Sequence, residues 1–223
     1  MAARAYKPLV TMSASYGSGG SVIAPRLAER LRLPFIDRAI SVELSEDAAA
    51  AVDQPSQEHL TEGEEAATPG NRLLAYFARA ASIGAMLAPD PVVDADEVLR
   101  ERSESALAEV AVGEAGLVLG HAAAVVLARR PNAFHIRLDG PVERRIEWAA
   151  RYFHQDVGRC RERQQRTDRA RVLFVKRLYR ADPESPRWYQ LVLDSTVFSV
   201  EVSIDILANA AERYFAALTA TPE

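Results

Sequence analysis

Apolar positions along the chain alternate between short runs and recurrences at helical spacing. Leu9, Val10 and Met12 form an apolar segment, and Ile23, Leu27 and Leu31 then recur every fourth residue with Arg and Glu between them. The sequence SYGSGGS, residues 15–21, separates the two. LPFID, residues 33–37, reads as a short strand ending in a carboxylate, with a helical segment expected over about 38–50. Periodicity is lost over 51–70, where Pro55, Gly63, Pro69 and Gly70 interrupt the chain, and residues 53–70 are expected to be mobile. Asn71 caps an amphipathic helix to about Ala88, with Leu73, Phe77 and Ala80 on its apolar face, and Asp94 with Glu97 opens another that ends near Gly113.

The second half repeats the alternation. GLVLG (116–120) and AFHIRLDG (133–140) read as buried parallel strands, and Pro141 opens the helix that follows. Residues 157–180 read as a basic helix, YQLVLDS (189–195) as the last strand, and Ser199 as the cap of a final helix to about Leu218. Five strands separated by helices predict an α/β fold, a three-layer α/β/α sandwich on a parallel sheet with right-handed crossovers.

Composition narrows the class. A chain of 223 residues, 48% hydrophobic, supports one domain with insertions. No apolar run reaches membrane-span length, the N-terminus lacks a secretory signal, and the single Cys160 excludes an internal disulfide, so a cytoplasmic protein without a membrane partner is expected. A net charge of -4 argues against nucleic acid as a partner.

Strand, glycine loop and helix N-terminus together form a phosphate-holding arrangement. Gly17, Gly19 and Gly20 let backbone N–H groups converge on an anion, and the helix start adds partial positive charge. The pattern GxxxxGK[ST], laid over residues 14–21, puts Ala14 at the first glycine, Gly19 at the second and Ser21 at the hydroxyl that would meet Mg²⁺. At the lysine stands Gly20. A second constellation lies in the basic helix, where Arg159, Arg161, Arg163, Arg166, Arg169 and Arg171 crowd together and Arg159, Arg163 and Arg166 share a face. A solvated surface would explain such a run, but guanidinium groups also bind phosphate oxygens bidentately.

TMSASYGSGGSVIAPRLAERLRLPFID, LVLG followed by HAA, DRARVLFVKRLY and WYQLVLDSTVFSVE, in this order, resemble the cytidylate-kinase-like family of nucleoside monophosphate kinases from about Pro8 to Leu207. The resemblance implies a P-loop kinase fold with a five-stranded sheet, a mobile acceptor-binding insert over 38–93 and an arginine-bearing lid over 155–182. It implies that Gly17, Ser18, Gly19 and Gly20 wrap the phosphates of ATP; Ser21, next in the nucleotide-binding loop, is the Mg²⁺ candidate by the P-loop pattern alone. Asp168, Arg169 and Arg171 then match or adjoin the lid's DRxR pattern as catalytic groups, with Asp168 orienting an arginine. Asp37 and the adjoining Arg38 fall where the family places its acceptor loop.

Departures from the family pattern are specific. Where family loops commonly read GSGGR, the last position here is Ser21, and where the family has VGR the chain reads LGH, putting His121 at the acceptor-gripping arginine. The insert carries eight acids and no Lys or Arg between Ala39 and Asn71, leaving Arg72 and Arg79 as its acceptor candidates. Three functions follow: an ATP-dependent kinase of CMP or a related nucleotide, a nucleotide-binding protein with little turnover, or a kinase of a non-nucleotide acceptor. Nucleotide binding at the loop implies that Gly19→Val would obstruct a phosphate oxygen, and in a weakened kinase lysine restored at Gly20 would raise turnover.

Overall fold

The computed structural model describes residues 7–36, 115–120 and 122–220. The chain begins with β1 (Leu9–Ala14), α1 (Gly20–Arg30), β2 (Phe35–Ile36) and β3 (Gly116–Leu119). There follow α2 (Ala123–Val126), β4 (Ala133–Asp139), α3 (Val142–Tyr152), α4 (Val157–Tyr179), a 3-10 turn (Pro186–Trp188), β5 (Leu191–Asp194) and α5 (Val200–Thr219). Asp37, Arg38, Arg72, Arg79 and His121 lie outside the described residues, as do the expected mobile segment and the helices anticipated between residues 38 and 113.

Five parallel strands form one sheet in the order β2-β3-β1-β4-β5. β1 is central, pairing Leu9 with Gly116 of β3 on one side and with Ala133 of β4 on the other. All six of its residues are buried, as a strand covered on both faces requires. One face packs against α1 and α5, where Ile23, Leu27 and Ala28 share a cluster with Ile204, Leu207 and Ala211. On the other side, Ala123 and Leu127 at α2 meet Leu9 and Val118. Helices on both faces make the three layers that the alternation implied.

The chain leaves β1 toward β2 and crosses over β1 between β3 and β4, so the carboxyl end of β1 lies where the connections diverge. Ligands of open α/β sheets bind at such points. Three boundaries differ from expectation, the first at β2, which begins at Phe35 rather than Leu33. Pro141 is the residue before α3 rather than its first, with φ -54 and ψ 134. β5 is shorter than its apolar run because the 3-10 turn precedes it and Asp194 Oδ1 accepts from Thr196 N at 3.1 Å to begin a turn. Among the described residues, no helix is long and apolar enough to cross a membrane.

Candidate phosphate-binding site

β1 ends at Ala14 and α1 begins at Gly20, so the glycine stretch is the connecting loop. Gly17 and Gly19 have φ values of 75 and 77, left-handed conformations that turn successive amides the same way. The loop is braced internally: Ser18 Oγ donates to Ser15 O at 2.8 Å, and Ser195 Oγ donates to Ser18 O at 2.7 Å. Among the described residues, the amides of Gly17, Gly19, Gly20 and Ser21 meet no backbone acceptor. These donors, at the start of α1, form a cradle for an anion.

Each glycine excludes a side chain for a different reason. A Cβ on Gly17 would lie 2.1 Å from the Arg145 carbonyl oxygen. On Gly19 it would meet Ile23 Cδ1 and Trp148 Cζ2 at 3.3 Å, so a valine there would also strain the loop against those side chains. On Gly20 it would come within 2.3 Å of the Ala14 methyl carbon. A lysine at that position has no room while Ala14 keeps its methyl, and the expectation that Gly20→Lys alone raises turnover is corrected accordingly.

Guanidinium groups from three elements hold the three residues ahead of Gly17. Arg171 Nη1 of α4 donates to Ala14 O at 3.0 Å, Arg137 Nη2 of β4 to Ser15 Oγ at 3.1 Å, and Arg145 Nη1 of α3 to Tyr16 O at 2.6 Å. Arg137 and Arg145 are buried, 6% and 5% exposed. Arg137 is further bound by Asp139 Oδ2 at 2.9 Å and Pro183 O at 3.2 Å. Burial works to raise the Asp139 carboxyl, but Arg137, with Ser15 and the Gly140 amide, carries it below the usual carboxylate range.

Asp168 joins this network through the loop. Its Oδ1 accepts from Tyr16 N at 2.8 Å, and its Oδ2 accepts from Arg145 Nη1 at 2.8 Å and Gln164 Nε2 at 2.9 Å. Arg171 Nη1 is farther away, 3.7 Å from Asp168 Oδ1. Asp168 therefore acts chiefly on the loop and on Arg145, where the sequence suggested that it orients a lid arginine. Burial lowers the Arg171 pKa to about 10, with the Arg145 and Arg137 charges adding to the effect and Asp168 opposing it. The buried Arg171 Nε has no hydrogen-bond partner among the described residues, leaving a charged donor on a side chain that lines the small pocket of Ala14, Ser15, Arg137 and Pro183.

Sequence-derived residues thus converge in part. Gly17, Ser18, Gly19, Gly20, Asp168 and Arg171 share one site, while Ser18 turns its hydroxyl into the loop. Ser21 is exposed on the first turn of α1, and Arg169 is exposed on α4 outside these contacts. Arg137 and Arg145 escaped the sequence reading. A lone arginine inside the apolar run FHIRLD was the signal for the first; Arg145, in the charged string ERRIE, had none.

No curated protein matches the chain in sequence. Among solved structures, an uncharacterized protein from Eubacterium ventriosum ATCC 27560 is 14% identical, over 92% of this chain and 99% of that one, with a TM-score of 0.61, a likeness of fold alone. A gluconokinase from Sinorhizobium meliloti 1021 is 16% identical over 96% and 97% of the two chains, with a TM-score of 0.48. A shikimate kinase from Bacteroides thetaiotaomicron is 13% identical over 92% and 98%, with a TM-score of 0.47. The sequence model of the cytidylate kinase-like family matches residues 9–197, a span that takes in the glycine loop, Arg137, Arg145, Arg171 and Asp168, and the chain belongs to that family.

Proposed function

We propose that this protein is an ATP-dependent phosphotransferase that moves the γ-phosphoryl group to a phosphate-bearing acceptor of the CMP type. The observation that carries this reading is the amide cradle at residues 17–21 with the Arg171 guanidinium bound to Ala14 O, just ahead of the loop. An oxygen of the acceptor attacks the γ-phosphorus, the bond to the bridging oxygen breaks, and ADP leaves. Such transfer needs positioning and charge neutralisation more than covalent help from the protein. The cradle would hold the donor phosphates without a lysine, since its donors are backbone amides. Ser21, exposed at the helix start, would offer its hydroxyl to Mg²⁺, which would neutralise phosphate charge when bound.

In the same reading, residues 155–182 act as the lid and 38–93 as the acceptor-binding insert, with Asp37, Arg38, Arg72, Arg79 and His121 facing the acceptor and Arg169 and Arg171 the transferred group, in a cytoplasmic enzyme. A second reading, nucleotide binding with little turnover, is favoured by one observation: Arg137 and Arg145 already bind protein groups through the nitrogens described above. A coupled ADP-release assay across CMP, other nucleoside monophosphates and non-nucleotide acceptors, read beside calorimetry with ATP, separates the two. The kinase reading expects turnover with an acceptor, and Arg171→Ala should lower it by roughly 10²–10³ while weakening ATP binding far less. ATP binding with no turnover on any acceptor supports the second reading. Absence of ATP and ADP binding overturns both.

A further inference from the structure

We propose that Arg145 is a positioning residue of the phosphate loop, holding the Tyr16 peptide so that the amides beyond it face the phosphate; the inference rests on the loop binding phosphate, as in the reading above. Tyr16 is bracketed at both ends. Its N–H donates to Asp168 Oδ1 at 2.8 Å and its carbonyl accepts from Arg145 Nη1 at 2.6 Å. The same nitrogen donates to Asp168 Oδ2 at 2.8 Å, closing the bracket on itself. Arg145 Nε donates to Gly140 O at 2.9 Å, which fixes the guanidinium against the end of β4.

Arg145 also holds the next residue through its backbone. The face of Gly17 that lacks a Cβ lies against the Arg145 carbonyl, so one residue restrains two consecutive loop positions, by side chain and by main chain. Gly17 is where the chain first turns left-handed, with φ 75, and the open amides follow from there. A shift of the Tyr16 peptide would therefore re-aim the cradle. Of the three arginines on the loop, the one that brackets Tyr16 comes from α3. Arg145 acts through the loop and is not a catalytic residue.

The test measures affinity of the full chain for ADP and for tripolyphosphate by calorimetry, in the parent, Arg145→Lys and Arg145→Met. Loss of a charge-assisted bracket should weaken both ligands by about tenfold or more in Arg145→Met, equally for the two, with partial recovery in Arg145→Lys. A residue that merely supports the fold would not give this parallel loss with rescue by the conservative variant. Where Arg145→Met does not fold, Asp168→Asn carries the same test, since it keeps an acceptor for Tyr16 N–H and removes the charge that Arg145 meets. Affinities within twofold of the parent overturn the role of Arg145 while leaving the phosphotransferase reading in place. Loss for ADP without loss for tripolyphosphate also overturns it, because it places Arg145 at the nucleoside. A parent that binds neither ligand overturns the reading above and this inference together.

Discussion

His135 places an ionisable ring in the centre of the sheet, only 2% exposed on β4, where its Nδ1 shares a 2.7 Å hydrogen bond with Thr11 Oγ1 of β1. Burial depresses its pKa to about 4 from 6.5. The unfolded chain then binds the proton first, so this contribution to stability is complete above pH 6.5 and is lost progressively between 6.5 and 4. The loss reaches about 3 kcal/mol at the acid end. Urea unfolding of the parent and His135→Leu across that window should show the variant with the shallower pH dependence; parallel curves would mean that His135 does not govern it. Gly17→Ala should be far harsher than an ordinary loop substitution, because left-handed strain of roughly 1–2 kcal/mol adds to a collision with backbone that cannot rotate away. Denaturant unfolding and ADP calorimetry of that variant should both show loss. Individual residues were legible in the sequence where conformation is written in residue type, as with Gly17 and Gly19. Arg145 was not, because nothing in ERRIE distinguishes a buried arginine from its exposed neighbour Arg144.

At the scale of the element, α4 shows why a helix can be legible while its working face is not. Its buried stripe runs Cys160, Gln164, Ala170, Phe174, Val175 and Leu178, with Asp168 and Arg171 half-buried within it. The apolar ends of the stripe pack on α3 and α2, and its polar middle meets the phosphate loop. The sequence drew attention instead to Arg159, Arg163 and Arg166, which share a face by spacing, yet Arg159 and Arg166 are exposed. Charge density in one dimension does not reveal which charges meet another element. α4 is capped by Asp156, whose side chain accepts from Arg159 N at 3.0 Å. Asp156→Ala should cost about 1 kcal/mol of stability and leave ADP affinity unchanged, because the cap and the loop contacts are separate on the helix. Chemical unfolding midpoints and calorimetry give the two readouts.

For the whole molecule, the site is a junction of β1, β4, α3 and α4, elements far apart in sequence. Five parallel strands were evident from the alternation of apolar runs; the order β2-β3-β1-β4-β5 was not, since order and register depend on which faces fit together. A ligand at this junction ties together the layers that meet there, so it should stabilise the fold as a unit. ADP at about 100 times its dissociation constant should add about 2.7 kcal/mol, raising the thermal midpoint by roughly 5–10 °C for a chain of this size. Calorimetric scans with and without ADP check this, and an unmoved midpoint at saturating ligand would contradict it.

The contact between Ala14 and Gly20 also constrains how this loop can change over time. Ala14→Gly removes the methyl and costs about 0.5–1 kcal/mol in backbone freedom, with no gain in charge. Gly20→Lys made first meets carbon where its own Cβ must sit. The benefit of the second change therefore depends on the first having been accepted at a loss. The two positions are coupled: what a lysine at position 20 does depends on the residue at position 14.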